Sequence, residues 1–110
     1  MNENIFMVRG DTLQFSVLIE ELTTNLTNVY FSCKANKDDD NYIFQCTLGN
    51  GIELTESTNT SRTYTVTVPA SATKDLDDGI YYYDLQINLD EYVYTPFMGT
   101  LNIAKDVTYV

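Results

Sequence analysis

The sequence predicts an all-β chain folded as an antiparallel sandwich, and three observations predict it. Apolar and polar residues alternate with a period of two in segment after segment. About seven to nine such segments are separated by turn residues every eight to twelve positions or so. Beyond one short stretch near 70–76, no segment carries the spacing of a helix. The 110 residues suffice for one domain, 1–110, with one core.

Taken in order, Ile5 to Val8 is a short apolar opening that reads as an edge strand, and Arg9-Gly10-Asp11 turns the chain. From Thr12 to Glu20, Leu13, Phe15, Val17 and Ile19 alternate with Gln14, Ser16 and Glu20, which leaves Leu18 apolar on the outer face. Glu21 to Thr27 is a polar connection anchored by Leu22 and Leu26. In Asn28 to Asn36, Val29, Phe31, Cys33 and Ala35 point inward and Tyr30, Ser32 and Lys34 outward. Lys37 to Asn41 is made of residues that strands avoid, so Tyr42 to Leu48 returns as the second arm of a hairpin. Gly49-Asn50-Gly51 turns again into a short strand, Ile52 to Thr55, and the polar run Glu56 to Ser61 reads as a loop. Arg62 to Pro69 is the clearest alternation, with Tyr64, Val66 and Val68 inward and Thr63, Thr65 and Thr67 outward. Ala70 to Leu76 suits one helical turn, capped by Ser71, with Leu76 plugging the end of the sandwich.

The longest strand begins after Leu76-Asp77-Asp78-Gly79. Tyr81, Tyr83, Leu85 and Ile87 share one face, and Tyr82, Asp84 and Gln86 the other. Asp77, Gly79 and Tyr81 fit the tyrosine corner of Ig-like sandwiches, in which a Tyr at the start of a late strand returns its hydroxyl to the upstream backbone. Tyr83 then stands where an antibody domain carries its second disulfide cysteine. Asp90-Glu91 makes the last hairpin. The returning strand starts at Tyr92, is broken in its regularity by Pro96 and Gly99, and resumes the core pattern at Leu101 and Ile103 before a tail from Lys105 to Val110.

Composition excludes several classes of function. Six basic residues against sixteen acidic ones give a net charge of −10, which makes nucleic acid a poor partner. The chain has no His, which removes the usual zinc sites and Ser-His or Cys-His pairs. No apolar run approaches the ~20 residues of a membrane-spanning helix. Met1 to Asn4 lacks the basic-then-apolar pattern of a secretory leader, which points to synthesis in a cytoplasm. Cys33 and Cys46 lie in apolar alternations and read as free buried thiols, with a disulfide between neighbouring strands as the alternative.

Candidate sites are few. Arg9-Gly10-Asp11 spells an integrin-type tripeptide but reads as a glycine bend. Asp38-Asp39-Asp40-Asn41 offers oxygen ligands yet lacks the glycine and distal glutamate of a Ca²⁺ loop, so no metal is expected. Asn25-Leu26-Thr27 and Asn59-Thr60-Ser61 match the glycosylation acceptor pattern and place both in polar loops. Asp84 is the one acid in an interesting setting, and one acid is not a mechanism. No catalytic residue and no cofactor is therefore expected. The outward aromatics Tyr30, Tyr82, Tyr92 and Tyr94 read as an assembly interface or cross-strand ladder, with a sugar-binding face as the alternative.

Four stretches together resemble a known family: Val8-Arg9-Gly10-Asp11-Thr12 before an alternating strand, Leu26 to Phe31 (LTNVYF), the run Pro69 to Gln86 with its G-x-Y-Y-Y-D-L-Q end, and the closing Tyr94 to Thr108 (YTPFMGTLNIAKDVT). This order is similar to the small β-sandwich domain of phage and prophage structural proteins of Gram-positive hosts, in particular the N-terminal domain of the baseplate upper protein family. The resemblance implies a virion component at the baseplate, tail or another exterior position, made in the host cytoplasm. Its partners would be other virion proteins or further copies of itself, and the family has no catalytic residues to carry over. Baseplate upper proteins continue into receptor-binding segments, whereas this sequence stops at Val110.

Overall fold

The computed structural model describes Glu3 to Val107. Met1, Asn2 and the end of the expected tail, Thr108 to Val110, lie outside the described residues.

Eight strands follow one another: β1 (Ile5–Val8), β2 (Leu13–Glu20), β3 (Asn28–Lys34), β4 (Phe44–Leu48), β5 (Gly51–Ser57), β6 (Ser61–Val68), β7 (Gly79–Leu89) and β8 (Tyr92–Ala104). They are hydrogen-bonded in the order β1-β8-β7-β3-β4-β5-β6-β2. Although β3 and β2 are far apart in that order, Phe31 and Phe15 meet edge to face with ring centroids 5.2 Å apart. The row of strands is therefore folded over on itself. One layer is β1-β8-β7-β3-β4, the other β5-β6-β2, and the alternation of each strand supplies the core between them. This is the Ig-like sandwich that the sequence predicts.

The fold-over sits at Gly49-Asn50-Gly51. Gly49 and Gly51 take φ of 90° and 97°, and β4 meets β5 over Thr47–Gly51 and Leu48–Ile52. A Cβ on Gly51 would stand 3.0 Å from Cys46 Sγ and 3.2 Å from the Thr67 carbonyl, so both conformation and space demand glycine. The β4–β5 and β1–β8 contacts are parallel, and the other pairings are antiparallel.

Phe31 lies at the centre of the core, fully buried, touching Phe15, Phe44 and Tyr83. Val29, Leu85, Ile52, Tyr64 and Val66 enclose it. Cys33, Leu101 and Ile103 form a smaller cluster toward one end, against which Leu76 packs as expected. The two cysteines are free. Cys33 faces Phe44 and Cys46 faces Phe31, so the thiols sit diagonally on adjacent strands. Burial pushes the Cys33 thiol up to about 12 and raises that of Cys46 as well.

Several expectations need correction. The loop expected at Glu56 to Ser61 is shorter, Thr58 to Thr60: β5 runs to Ser57 and β6 starts at Ser61. Thr58 and Ser61 close a hairpin, through Thr58 N–H to the Ser61 carbonyl at 3.0 Å and hydroxyl to hydroxyl at 2.7 Å. Polar composition alone does not prevent pairing where a neighbouring strand is in register. The helical turn is a 3₁₀ turn, Ala70–Ala72, preceded by Pro69 and without a side-chain cap, so Ser71 does not cap it. Thr73, fully buried, does the anchoring, its hydroxyl accepting the Gly10 N–H at 3.0 Å. Ile43 precedes β4, which is shorter at its start than expected.

Gly99 does not bend β8. It pairs with Tyr83 in regular register, and a Cβ there would collide with the Glu3 carbonyl. The irregularity lies at Thr95-Pro96. Leu85 pairs with Phe97 and Ile87 with Tyr94, so β8 spends one residue more than β7 over that interval. Such a bulge reverses the alternation beyond it.

Candidate functional site

The bulge decides where the predicted tyrosines go. Tyr30 and Tyr82 stand on the outer face of the β1-β8-β7-β3-β4 layer. Tyr92 and Tyr94 do not join them. Their register partners are Leu89 and Ile87, which pack on the core, so both rings lie on the inner side of β8. Both rings are nevertheless more than half exposed. The expected set of four outward tyrosines is thus two pairs on opposite faces. Extrapolating the alternation backward from Leu101 and Ile103 gives the wrong phase, because a proline in a strand signals a phase change that strict alternation ignores.

The outer face around Tyr30 and Tyr82 is concave, with a cavity of about 650 Å³. Strand register lays out its floor. Across the layer, Met98 faces Asp84 and Asp84 faces Ser32, which faces Gln45. In the next row Thr100 faces Tyr82, which faces Lys34. On the other side Gln86 faces Tyr30 and Tyr30 faces Thr47. Most polar groups here are engaged. Gln45 Nε2 donates to Ser32 Oγ at 2.9 Å, Asn28 Nδ2 donates to Tyr30 Oη at 3.0 Å, and Thr100 Oγ1 donates to Asn4 Oδ1 at 2.8 Å. Two lysines wall one end. Lys34 Nζ donates to the Asp39 carbonyl at 2.7 Å and lies 5.3 Å from the Tyr42 ring centre. Lys37 Nζ stands 5.4 Å from the centre of the Tyr82 ring.

Two acceptors in this lining have no donor among the described residues: Asn88 Oδ1, which is buried, and the Asp84 carboxylate, which is only partly so. Burial raises the Asp84 pKa above the ordinary carboxylate value, and the Lys34 charge offsets this in part. What the arrangement offers chemically is binding. It has two tyrosine rings, amide and hydroxyl groups, and one partly desolvated carboxylate that feels the Lys34 charge without forming an ion pair with it.

The remaining candidates are structural. Tyr81 Oη donates to the Asp77 carbonyl at 2.7 Å, and Gly79, between them at the start of β7, takes φ 147°. Burial raises the Tyr81 hydroxyl pKa, and the Asp77 charge adds to the rise. Tyr83 Oη donates to the Glu3 carbonyl at 2.9 Å. Arg9 in the Arg-Gly-Asp bend gives Nε and Nη2 to Asp106 Oδ1 at 3.0 and 2.9 Å and Nη1 to the Leu76 carbonyl. That side chain therefore staples the chain termini rather than reaching out. Asp38 to Asn41 belongs to no group of metal-ligating side chains among the described residues.

Sequence reasoning missed Arg62, which is 8% exposed. Its guanidinium donates to Asn25 Oδ1 at 2.8 Å and to the carbonyls of Leu22, Thr23, Thr58 and Ser61 at 3.2, 2.9, 2.6 and 2.8 Å. It pins the 21–27 connection and takes up the side chain of Asn25, one of the two acceptor-pattern asparagines. The signal was present in the sequence: Arg62 stands two residues before Tyr64, in phase with Val66 and Val68.

No family model matches the chain, and no curated protein matches it significantly. Among solved structures it is similar to part of a family 123 glycoside hydrolase from Clostridium perfringens, with a TM-score of 0.54 and 16% identity over 99% of this chain. It spans only 24% of that hydrolase chain. It also aligns with an extracellular domain of the voltage-gated sodium channel β4 subunit, with a TM-score of 0.45 and 12% identity over 96% of this chain and 93% of that one. A third is the Ig1 domain of mouse SynCAM 2, with a TM-score of 0.35 and 18% identity over 94% and 92% of the two chains. At such identities the likeness concerns the fold alone.

Proposed function

We propose that this chain is a non-enzymatic assembly module of a phage or prophage virion, at the baseplate, tail or another exterior position. It grips a neighbouring subunit with the concave outer face around Tyr30, Tyr82 and Asp84. The observation that carries the contact surface is Asp84, a partly buried carboxylate with no hydrogen-bond donor, on the floor of a cavity walled by tyrosines. A basic side chain from the neighbour would pair with this carboxylate, and a hydrogen bond to a charged group is stronger than one between neutral groups. Tyr at the rim suits protein contacts. The virion setting rests on the ordered motifs from Val8 to Thr108.

The test is to purify virions produced with the wild-type gene and with Tyr82→Ala or Asp84→Ala. Wild-type chain in the particle, and folded variant chain left behind in the lysate, is the expected result. A chain absent from wild-type particles overturns the virion setting. Equal incorporation of both variants overturns the contact surface.

One observation favours a second reading, a carbohydrate-binding module. The same cavity presents amide and hydroxyl groups of Ser32, Gln45, Gln86 and Thr100 beside tyrosine rings. Glycans would then shift tyrosine fluorescence in wild type and not in Tyr82→Ala. A glycan screen without a hit removes this reading. Tyr94, on the other side of the layer, serves as the negative control.

A further inference from the structure

The outer face of the β1-β8-β7-β3-β4 layer extends beyond the cavity around Tyr30 and Tyr82. Past the Tyr82 row, large apolar side chains stand uncovered. Phe6 and Ile80 face Asn102 from either side and are 76% and 60% exposed. Val8 follows on β1, and Met98 lies in the cavity lining, both exposed. The polar side chain in their midst is already engaged: Asn102 Nδ2 donates to the Ile5 carbonyl at 3.2 Å and to Thr100 Oγ1 at 2.9 Å. Single exposed apolar residues are ordinary, but a contiguous group on one face marks a contact surface.

Asp84 stands four residues beyond Ile80 on the same face of β7, a separation of about 13 Å along an extended strand. The face therefore has an apolar end and, one step further, a carboxylate without a donor among the described residues. A surface that covers both must bring apolar side chains and a cation in that order.

We infer that the neighbour gripped by this face is a different protein, not a second copy, and that it lays an apolar patch over Phe6 and Ile80 and a Lys or Arg on Asp84. The inference rests on the assembly reading above and names the chemistry of the partner. Charge complementarity separates the two occupants. Of the six cations in the chain, Arg9 is paired with Asp106, and Arg62 is buried among carbonyls. Lys34 is bound to the Asp39 carbonyl beside the Tyr42 ring, and Lys37 lies over the Tyr82 ring. A second copy thus offers Asp84 only Lys74 and Lys105, on a body with sixteen acids. A protein with a basic surface has no such shortage, and the −10 charge of this chain attracts it where it repels a copy.

Photo-crosslinking in purified virions tests it, with benzoylphenylalanine placed at Phe6, at Ile80 or, on the opposite layer, at Leu18. The Phe6 and Ile80 labels should join one peptide of another virion protein, a peptide that contains Lys or Arg, and the Leu18 label should not join it. If the label is too bulky for incorporation, Ile80→Cys with a short thiol-to-amine cross-linker takes its place. Asp84→Lys should then cut incorporation about tenfold, and changing the base of the joined peptide to Glu should restore it. An adduct of two copies, at twice 12.5 kDa, overturns the inference. So do particles that contain the chain and give no adduct at Phe6 or Ile80, a joined peptide without a base, the same peptide joined at Leu18, or a charge reversal that fails to rescue. Each of these leaves the assembly reading standing. Particles that lack the wild-type chain overturn that reading, and the inference with it.

Discussion

The two outer faces of the sandwich are built from the same alternation and end in opposite states. On the β5-β6-β2 face, hydroxyls and amides satisfy one another across strands. Gln14 Nε2 donates to Thr67 Oγ1 at 2.9 Å, Ser16 and Thr65 share a hydrogen bond of 2.8 Å, and Thr55 and Thr65 one of 3.0 Å. On the β1-β8-β7-β3-β4 face the surface is concave, its cations are turned toward Asp39 and the rings of Tyr42 and Tyr82, and Asp84 has no donor. The hydroxyls and amides of the first face have closed on one another, which spends their bonding capacity on stability. The second keeps ring surface and a carboxylate unspent, and a surface in that condition gains most from a partner. The satisfaction of polar groups separates the two faces. Exposed apolar side chains also separate them: Phe6, Ile80 and Met98 stand out on the concave layer, against Leu18 alone among the large exposed hydrophobics on the other.

Substitutions can break or sharpen that contrast. The largest effect is expected from Arg62→Ala, which tests whether the layer behind the hydroxyl ladder is held by internal bonds. It strips the donors from four carbonyls and Asn25, and urea unfolding should show a loss of about 3 kcal/mol. Arg62→Lys should recover only part, since an ammonium has three donors on a point charge and no planar fork. Tyr82→Ala on the open face should weaken binding to the neighbour proposed above about tenfold or more while leaving the unfolding midpoint nearly unchanged, as isothermal titration and urea curves would show together. Thr65→Ala on the closed face should do the reverse, costing about 1 kcal/mol in stability with no change in binding.

The smallest effect carries the clearest sign. The Asp84 carboxyl has a raised pKa in the folded chain, so the native state holds its proton more tightly than the unfolded state does. Its contribution to stability therefore falls as pH rises from the ordinary carboxylate range through the raised folded value. Asp84→Asn should be the more stable protein at neutral pH, by less than about 1 kcal/mol for a partly solvated group, and equal to wild type well below the ordinary carboxylate value. Asp106 runs the other way. The Arg9 hydrogen bond lowers its pKa, so the stability it contributes is present above the ordinary value and is lost as pH falls through the folded one. Urea midpoints for Asp84→Asn and Asp106→Asn across acid pH would show the two opposite slopes.

Much of the fold was legible because alternation reports burial directly. Tyr64, Val66 and Val68 lie where their phase put them, as do Phe31, Tyr83 and Leu85. The Tyr81 hydroxyl meets the Asp77 carbonyl because that bond is local, closing within four residues. Half of the candidate site was legible for the same reason: Tyr30 and Tyr82 are outward on strands with unbroken register. The other half failed at a single residue. One extra position at Thr95-Pro96 sends Tyr92 and Tyr94 to the opposite face, and period-two reasoning carries no memory of such an insertion. Arg62 was missed for a different reason: a charged residue in an inward phase is read as exposed unless its distant acceptors are known.

What the sequence determined by itself is the set of local rules: where strands run, which side chains each turns to the core, where glycine must bend the chain, and the −10 net charge. The tertiary structure alone decided which strands became neighbours. That choice placed Asp84 in a concave floor without a hydrogen bond from the protein, surrounded Arg62 with carbonyls from two connections, and left β2 at an open edge. Each outcome depends on groups far apart in the chain, and a side chain's partners, unlike its phase, are set only when distant segments meet.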